Sequence, residues 1–174
     1  IPARIGSKGI PKKVLRPFGG KPLLSWSIEA SLGVPDARVY VNTDGREIAR
    51  YVQDNYPQAE VYIRADSLSG DMVTLDELCY EFVQNVDLFD QEIIVTIQPT
   101  SPFVTNEVIT GVYKELVRMK TGSVLTVSEK RKLTWKSTES GFKPLYEKRV
   151  NRQLLEPVFE ENGAVVACYA GRLL

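Results

Sequence analysis

Apolar positions along the chain fall into short stripes and runs whose period switches repeatedly. Leu23, Leu24, Trp26, Ile28 and Ala30 recur at helical spacing between Pro22 and Leu32, and Gly33 with Pro35 ends that stretch. Within Arg38 to Asn42, Val39-Tyr40-Val41 predicts a short buried strand. Asp44 stands where an N-cap would, ahead of a helix carrying Glu47 to Val52, with Pro57 beyond its end. Glu60 to Ile63 reads as the next strand, and a polar loop from Arg64 to Asp71 follows. Leu75, Leu78, Cys79, Phe82 and Val83 then form the apolar face of a helix from about Met72 to Val86. Ile93 to Ile97 is the clearest strand. A helix at Asn106 to Met119, striped by Val108, Ile109, Val112, Leu116 and Val117, leads to a strand at Ser123 to Val127.

Strand and helix alternating in this way predict an α/β fold, with a mostly parallel sheet, right-handed crossovers and helices on both faces. The period lapses from Glu129 to Glu161, which is polar, basic and aromatic, before Ala164 to Tyr169 resumes as a strand. An irregular stretch of that length inside a domain points to ligand binding or subunit pairing. Ile1-Pro2-Ala3-Arg4 reads as the last residues of a strand, so the chain is expected to be a fragment, and Pro17 to Lys21 reads as a simple loop. With 174 residues and 43% hydrophobic content, one domain over 1–174 is expected.

Charge narrows the partners. Lys+Arg and Asp+Glu both total 22, so bulk electrostatics give no support for nucleic acid or a membrane surface. No apolar run reaches the roughly 20 residues of a spanning helix and no charged-then-apolar leader is present, so a cytoplasmic location is the default expectation. Cys79 and Cys168, far apart, read as buried free thiols rather than a disulfide framework. The chain contains no histidine, which removes Ser-His-Asp and Cys-His nucleophiles, His-bearing zinc sites and a histidine general base. Chemistry is left to Lys, Arg, carboxylates, backbone amides and a bound metal.

One segment concentrates those groups. Arg4, Gly6, Ser7, Lys8, Gly9, Lys12 and Lys13 form a Gly-rich cationic loop between a strand end and a helix, where open α/β sheets bind ligands. Glycines admit phosphate oxygens close to backbone amides, Arg4 offers a fork of donors, and Lys8 and Lys13 supply mobile charges. A triphosphate would suit the loop. It matches neither G-x-x-x-x-G-K-[ST] nor G-x-G-x-x-G, and a solvated basic turn is the bland alternative.

The run Ile1-Pro2-Ala3-Arg4-Ile5-Gly6-Ser7-Lys8-Gly9-Ile10-Pro11-Lys12-Lys13 resembles the signature of the acylneuraminate cytidylyltransferase (CMP-N-acetylneuraminic acid synthetase) family. Further blocks agree in order: Gly20-Lys21-Pro22-Leu23-Leu24, Val41-Asn42-Thr43-Asp44, Arg64-Ala65-Asp66-Ser67-Leu68 with Asp71, Gln98-Pro99-Thr100-Ser101-Pro102, and Glu161-Asn162-Gly163-Ala164. Departures are Val14, where the family has Asn, and Phe103-Val104, where it has Leu-Arg.

The resemblance implies a three-layer Rossmann-like nucleotidyltransferase fold with a protruding dimerisation segment at 129–161, and a homodimer. It implies transfer of CMP from CTP to a nonulosonic, sialic-type sugar acid, with release of pyrophosphate. By the same carry-over, Arg4, Lys8 and Lys13 are the catalytic cations. They are joined around the nucleotide by Gly6, Ser7, Gly9, Arg64, Asp71 and Thr74. The sugar falls to Gln98, Thr100, Ser101, Lys136, Arg152, Asn162 and Gly163. Mg²⁺ is the implied cofactor, held by paired aspartates expected beyond Leu174, so no metal ligand is assigned within the chain. Two alternatives stay open: a divergent member that binds without turnover, and a nucleotidyltransferase for another sugar.

Overall fold

The computed structural model describes residues 1–7, 9–120 and 122–173. Along the chain come β1 (Pro2–Ala3), a small hairpin of β2 (Pro17–Phe18) and β3 (Lys21–Pro22), α1 (Leu23–Leu32), β4 (Tyr40–Thr43), α2 (Arg46–Asn55) and β5 (Glu60–Ile63). There follow α3 (Leu75–Asn85), β6 (Ile93–Ile97), α4 (Asn106–Met119), β7 (Ser123–Lys130), the hairpin of β8 (Trp135–Thr138) and β9 (Gly141–Pro144), and β10 (Val158–Tyr169). The chain divides into a larger unit, Ile1–Leu125 with Gly163–Leu174, and a second unit, Thr126–Asn162.

The larger unit has the α/β architecture expected from the pattern. β4 lies between β1 and β5 with parallel pairing throughout, Pro2 opposite Asn42 and Tyr40 opposite Glu60. Alternation along β4 sends side chains to two layers. Val41 packs with Leu24, Ile28, Ile48 and Val52 of α1 and α2, and Tyr40 packs with Phe82 and Val83 of α3. Leu24, Ile28, Ile48 and Val52 are fully buried, each contributing about 1.5–3 kcal/mol. The second sheet has the order β6-β10-β7, with α4 covering Ile97, Val165 and Ala167 through Ile109, Val112 and Leu116.

Several local expectations are corrected. β10 runs antiparallel to β6, Val165 opposite Ile97, because it returns from the second unit instead of following a crossover helix. Gly45, not Asp44, caps α2. Helix α3 starts at Leu75 rather than Met72, because Thr74 and Glu77 form a capping box: the Glu77 amide donates to Thr74 Oγ1 at 3.2 Å, and the Thr74 amide to Glu77 Oε2 at 2.6 Å. The supposed loop at Pro17 to Lys21 is a hairpin, with positive φ at Gly19 and Gly20 (59° and 91°) as a type I′ turn requires. Cys79 and Cys168 are only half-buried, though burial still pushes both thiols up, Cys168 to about 11.

The second unit contains regular structure where none was expected. Trp135 pairs with Pro144 and Lys136 with Lys143 across β8 and β9, and the Trp135 and Tyr146 rings meet edge to face at 5.6 Å.

Candidate active site

Strand ends supply most of the charged groups that gather on the larger unit. Arg4 follows β1, Asp44 follows β4, Arg64 follows β5 and Gln98 follows β6, the position at which open α/β sheets present ligand-binding side chains. Arg4, Lys13 and Arg64 share the wall of a cavity of about 320 Å³ with Ser7, Asp71, Gln98 and Thr100. Val14, Leu68, Val73, Leu75 and Leu78 add an apolar wall.

Arg64 is the deepest of the cations, 3% exposed. Its Nη1 donates to the Asn42 carbonyl and to Asn42 Oδ1, both at 3.3 Å, and its Nη2 lies 3.5 Å from Asp44 Oδ2. Nε is buried and has no partner among the described residues. Burial lowers the Arg64 pKa, Asp44 opposes the shift, and the Arg4 charge adds to it. Two guanidinium groups that repel one another across one cavity are a receptor for an anion.

Asp44 also fixes the cationic loop. Its Oδ1 accepts from the Ile5 amide at 2.9 Å, so one buried carboxylate aligns both the start of the loop and Arg64. The backbones approach closely there: a Cβ at Gly45 would lie 2.9 Å from Ile5 Cβ. Lys12 adopts a left-handed conformation (φ 51°) that turns the chain into the short helical turn Lys13–Leu15, and its Nζ bonds Glu47 Oε2 at 2.6 Å. Arg4 Nη1 donates to Asp71 Oδ1 at 2.8 Å in a half-exposed pair. Gly6 and Gly9 are exposed, and a Cβ at either would meet nothing within 4 Å. Internal packing therefore places no demand for glycine there, whereas a ligand laid against the backbone would.

The other expected site residues fall in different places. Lys8 lies outside the described residues. Thr74 spends its hydroxyl on the α3 cap, donating to Glu77 Oε2 at 2.8 Å as well as accepting from the Glu77 amide. Ser101 closes the turn after β6, its amide donating to the Gln98 carbonyl at 3.0 Å. Gly163, at φ +66°, backs onto Gln98: an added Cβ would sit 3.3 Å from Gln98 Nε2. Asn162, Lys136 and Arg152 belong to the second unit. There Asn162 Oδ1 accepts from Thr126 Oγ1 at 2.6 Å, Lys136 lies exposed on β8, and Arg152 opens the helical turn Arg152–Leu154.

Asp44 and Asn42 are the residues of this candidate site that the sequence pattern does not single out. Both stand within the block Val41-Asn42-Thr43-Asp44, but the pattern puts Asp44 at a helix cap, and its partner Arg64 is 20 positions away. Among the described residues no group of three or more His, Cys, Asp or Glu side chains could hold a metal ion. Asp44 and Asp71 both face arginines. The described residues therefore do not build a site for Mg²⁺. No helix among them is long and apolar enough to cross a membrane.

Comparison with known proteins fits this arrangement. A family model described as Cytidylyltransferase matches residues 1–164. The chain is 32% identical over 145 residues to 3-deoxy-manno-octulosonate cytidylyltransferase of Colwellia psychrerythraea, covering 83% of this chain and 49% of that protein. It is 35% identical over 133 residues to CMP-N,N'-diacetyllegionaminic acid synthase of Legionella pneumophila, covering 74% and 56%. It is also 32% identical over 145 residues to N-acylneuraminate cytidylyltransferase A of Danio rerio, covering 81% and 32%. The chain thus spans about half the length, or less, of the curated relatives it matches. In fold it is similar to a CMP:2-keto-3-deoxy-manno-octonic acid synthetase solved with CTP, at a TM-score of 0.70 and 19% identity over 99% of this chain and 73% of that one. With the family model spanning nearly the whole chain and the Rossmann-like nucleotidyltransferase fold in place, the chain belongs to the cytidylyltransferase family.

Proposed function

We propose that this chain carries the nucleotide site of an enzyme that transfers CMP from CTP to a sugar acid. The observation that carries the proposal is the cavity in which Arg4, Lys13 and the buried Arg64 converge at strand ends beside a glycine-bearing loop. In the reaction, a sugar hydroxyl attacks the α-phosphorus of CTP. A new P–O bond forms, the bond from the α-phosphorus to the oxygen bridging it to the β-phosphate breaks, the hydroxyl proton passes to water, and pyrophosphate leaves. Arg4 and Lys13 hold phosphate oxygens and neutralise the charge on the leaving group. Arg64, braced by Asp44, adds a fixed positive field from below. No protein nucleophile is required.

The acid is read as a nonulosonic one, supported by the sequence blocks quoted above and by the legionaminic and neuraminic enzymes among the relatives. The octulosonate enzymes form the competing class. The second unit is read as the arm that pairs subunits. Its support is exposed apolar surface at Phe142 (76%), Leu145 (65%) and Leu154 (73%). Sedimentation showing a strict monomer at micromolar concentration would remove that reading.

The test is a pyrophosphate-release assay on the protein with CTP, ATP, GTP or UTP against a panel of 2-keto sugar acids, paired with thermal shifts for each nucleotide. Release with CTP and a nonulosonic acid is expected. Release only with an octulosonate would reassign the substrate. CTP binding without release for any acid would leave a binding protein rather than an enzyme.

A further inference from the structure

Behind the cavity that gathers Arg4 and Arg64, strand β5 and helix α3 meet face to face. Tyr62 lies on β5, and Arg64 follows it by two residues while its amide still bonds the Thr43 carbonyl of β4 at 3.0 Å. Extended backbone therefore sends both side chains to the same side of the sheet. On α3, Leu78, Glu81 and Phe82 stand at i, i+3 and i+4 and share one helix face. Phe82 packs edge to face on the Tyr62 ring at 5.1 Å, and Leu78 walls the cavity together with Arg64. Glu81 comes in between: the Tyr62 phenol donates to its Oε1 at 2.7 Å.

That contact uses one carboxylate oxygen. The other, Oε2, is buried without a partner among the described residues, and so is Arg64 Nε. One is an acceptor and the other a charged donor, and folded proteins rarely leave either kind unmade. The contacts Arg64 does make are long, 3.3 Å to Asn42 and 3.5 Å to Asp44, against roughly 2.7–2.9 Å for a charge-assisted hydrogen bond. The guanidinium is thus held loosely along its Nη edge and not at all at Nε. Glu81 also acts on it through space. Its charge, like that of Asp44, raises the Arg64 pKa against the effect of burial, whereas Arg4 lowers it. Burial, and then Glu81, push the Tyr62 phenol up to about 12, so near neutral pH this hydroxyl keeps its proton and remains a donor.

We propose that Glu81, locked by the Tyr62 phenol, is a positioning residue for Arg64, taking up the Nε edge that Asn42 and Asp44 leave unheld. The assignment rests on the reading of the cavity as a nucleotide site. Asp44 remains the principal counter-charge and aligns the guanidinium from the side of the cationic loop, through its bond to the Ile5 amide. Glu81 aligns it from the side of α3. A planar fork gripped on two edges presents its remaining N–H groups in one direction only, which is what an oriented contact to an anion requires. A tie between β5 and α3 alone would not call for a charge at position 81, since a single oxygen receives the phenol and a glutamine would offer the same acceptor.

The test is a double-variant cycle of E81Q and R64M, read by Tm without ligand and by calorimetric titration with CTP. E81Q keeps the size of the side chain and removes its charge; it is expected to weaken CTP binding about tenfold. Without ligand it should lower Tm by about 3 °C or more in the parent, and by less than half as much in R64M, where no guanidinium is left to orient. Y62F keeps the charge and unlocks the carboxylate. It should weaken CTP binding about threefold, and it carries the test where E81Q does not fold. CTP affinity unchanged in these variants, or equal Tm losses in both backgrounds, overturns the assignment and leaves Glu81 a tie between β5 and α3. A parent protein that binds no CTP refutes the nucleotide reading instead, and the ligand-free cycle then decides the Glu81 contact by itself.

Discussion

Replacing Asp44 by asparagine is expected to lower stability by about 3–5 kcal/mol, because it removes the counter-charge of a cation that the fold has buried. Asp44 and Arg64 side chains are 7% and 2% exposed, too enclosed for solvent to screen the arginine once the carboxylate is gone. The remaining Asn42 contacts are neutral and long, at 3.3 Å. Urea unfolding of D44N measures the loss. The double variant D44N/R64M discriminates the cause: with the charge removed from both sides, it should recover much of the lost stability while abolishing nucleotide-induced thermal stabilisation. A loss below about 1 kcal/mol for D44N would mean that Arg64 is neutralised by other groups.

Replacing Arg4 by alanine is expected to cut kcat/KM for pyrophosphate release by about 10²–10³-fold, the usual effect of removing one oriented charged donor from a developing negative charge. Arg4 is half-exposed and its Asp71 partner sits at the surface, so the folded stability of R4A should stay within about 1 kcal/mol of the parent. The two readouts thus separate. R4K should recover little, since an ammonium supplies charge without the planar fork. Unaltered kinetics in R4A would remove this side chain from the phosphate contacts.

Much of the larger unit was legible because its signals are local. The stripe Ile109, Val112 and Leu116 and the run Ile93 to Ile97 marked α4 and β6 to the residue, since a helix face or a buried strand is written in adjacent positions. The cationic loop was legible for the same reason. Asp44 was not, because its partners Ile5 and Arg64 lie 39 and 20 positions away and only the sheet brings them together. The hairpin of β8 and β9 escaped because β8 is exposed along its whole length and β9 nearly so, leaving no buried face to impose alternation on the sequence. The antiparallel entry of β10 is a property of connection rather than composition, and Ala164 to Tyr169 reads as a strand in either direction.

The two tryptophans are divided between the units. Trp26 lies under the Lys21 ammonium at 3.9 Å and edge-on to Phe18, while Trp135 stands edge-on to Tyr146. Each unit therefore carries its own fluorophore. Emission from W135F reports the larger unit alone and emission from W26F the other, so a single titration with urea or with CTP, run on both, separates events that the unmodified protein would blend into one curve.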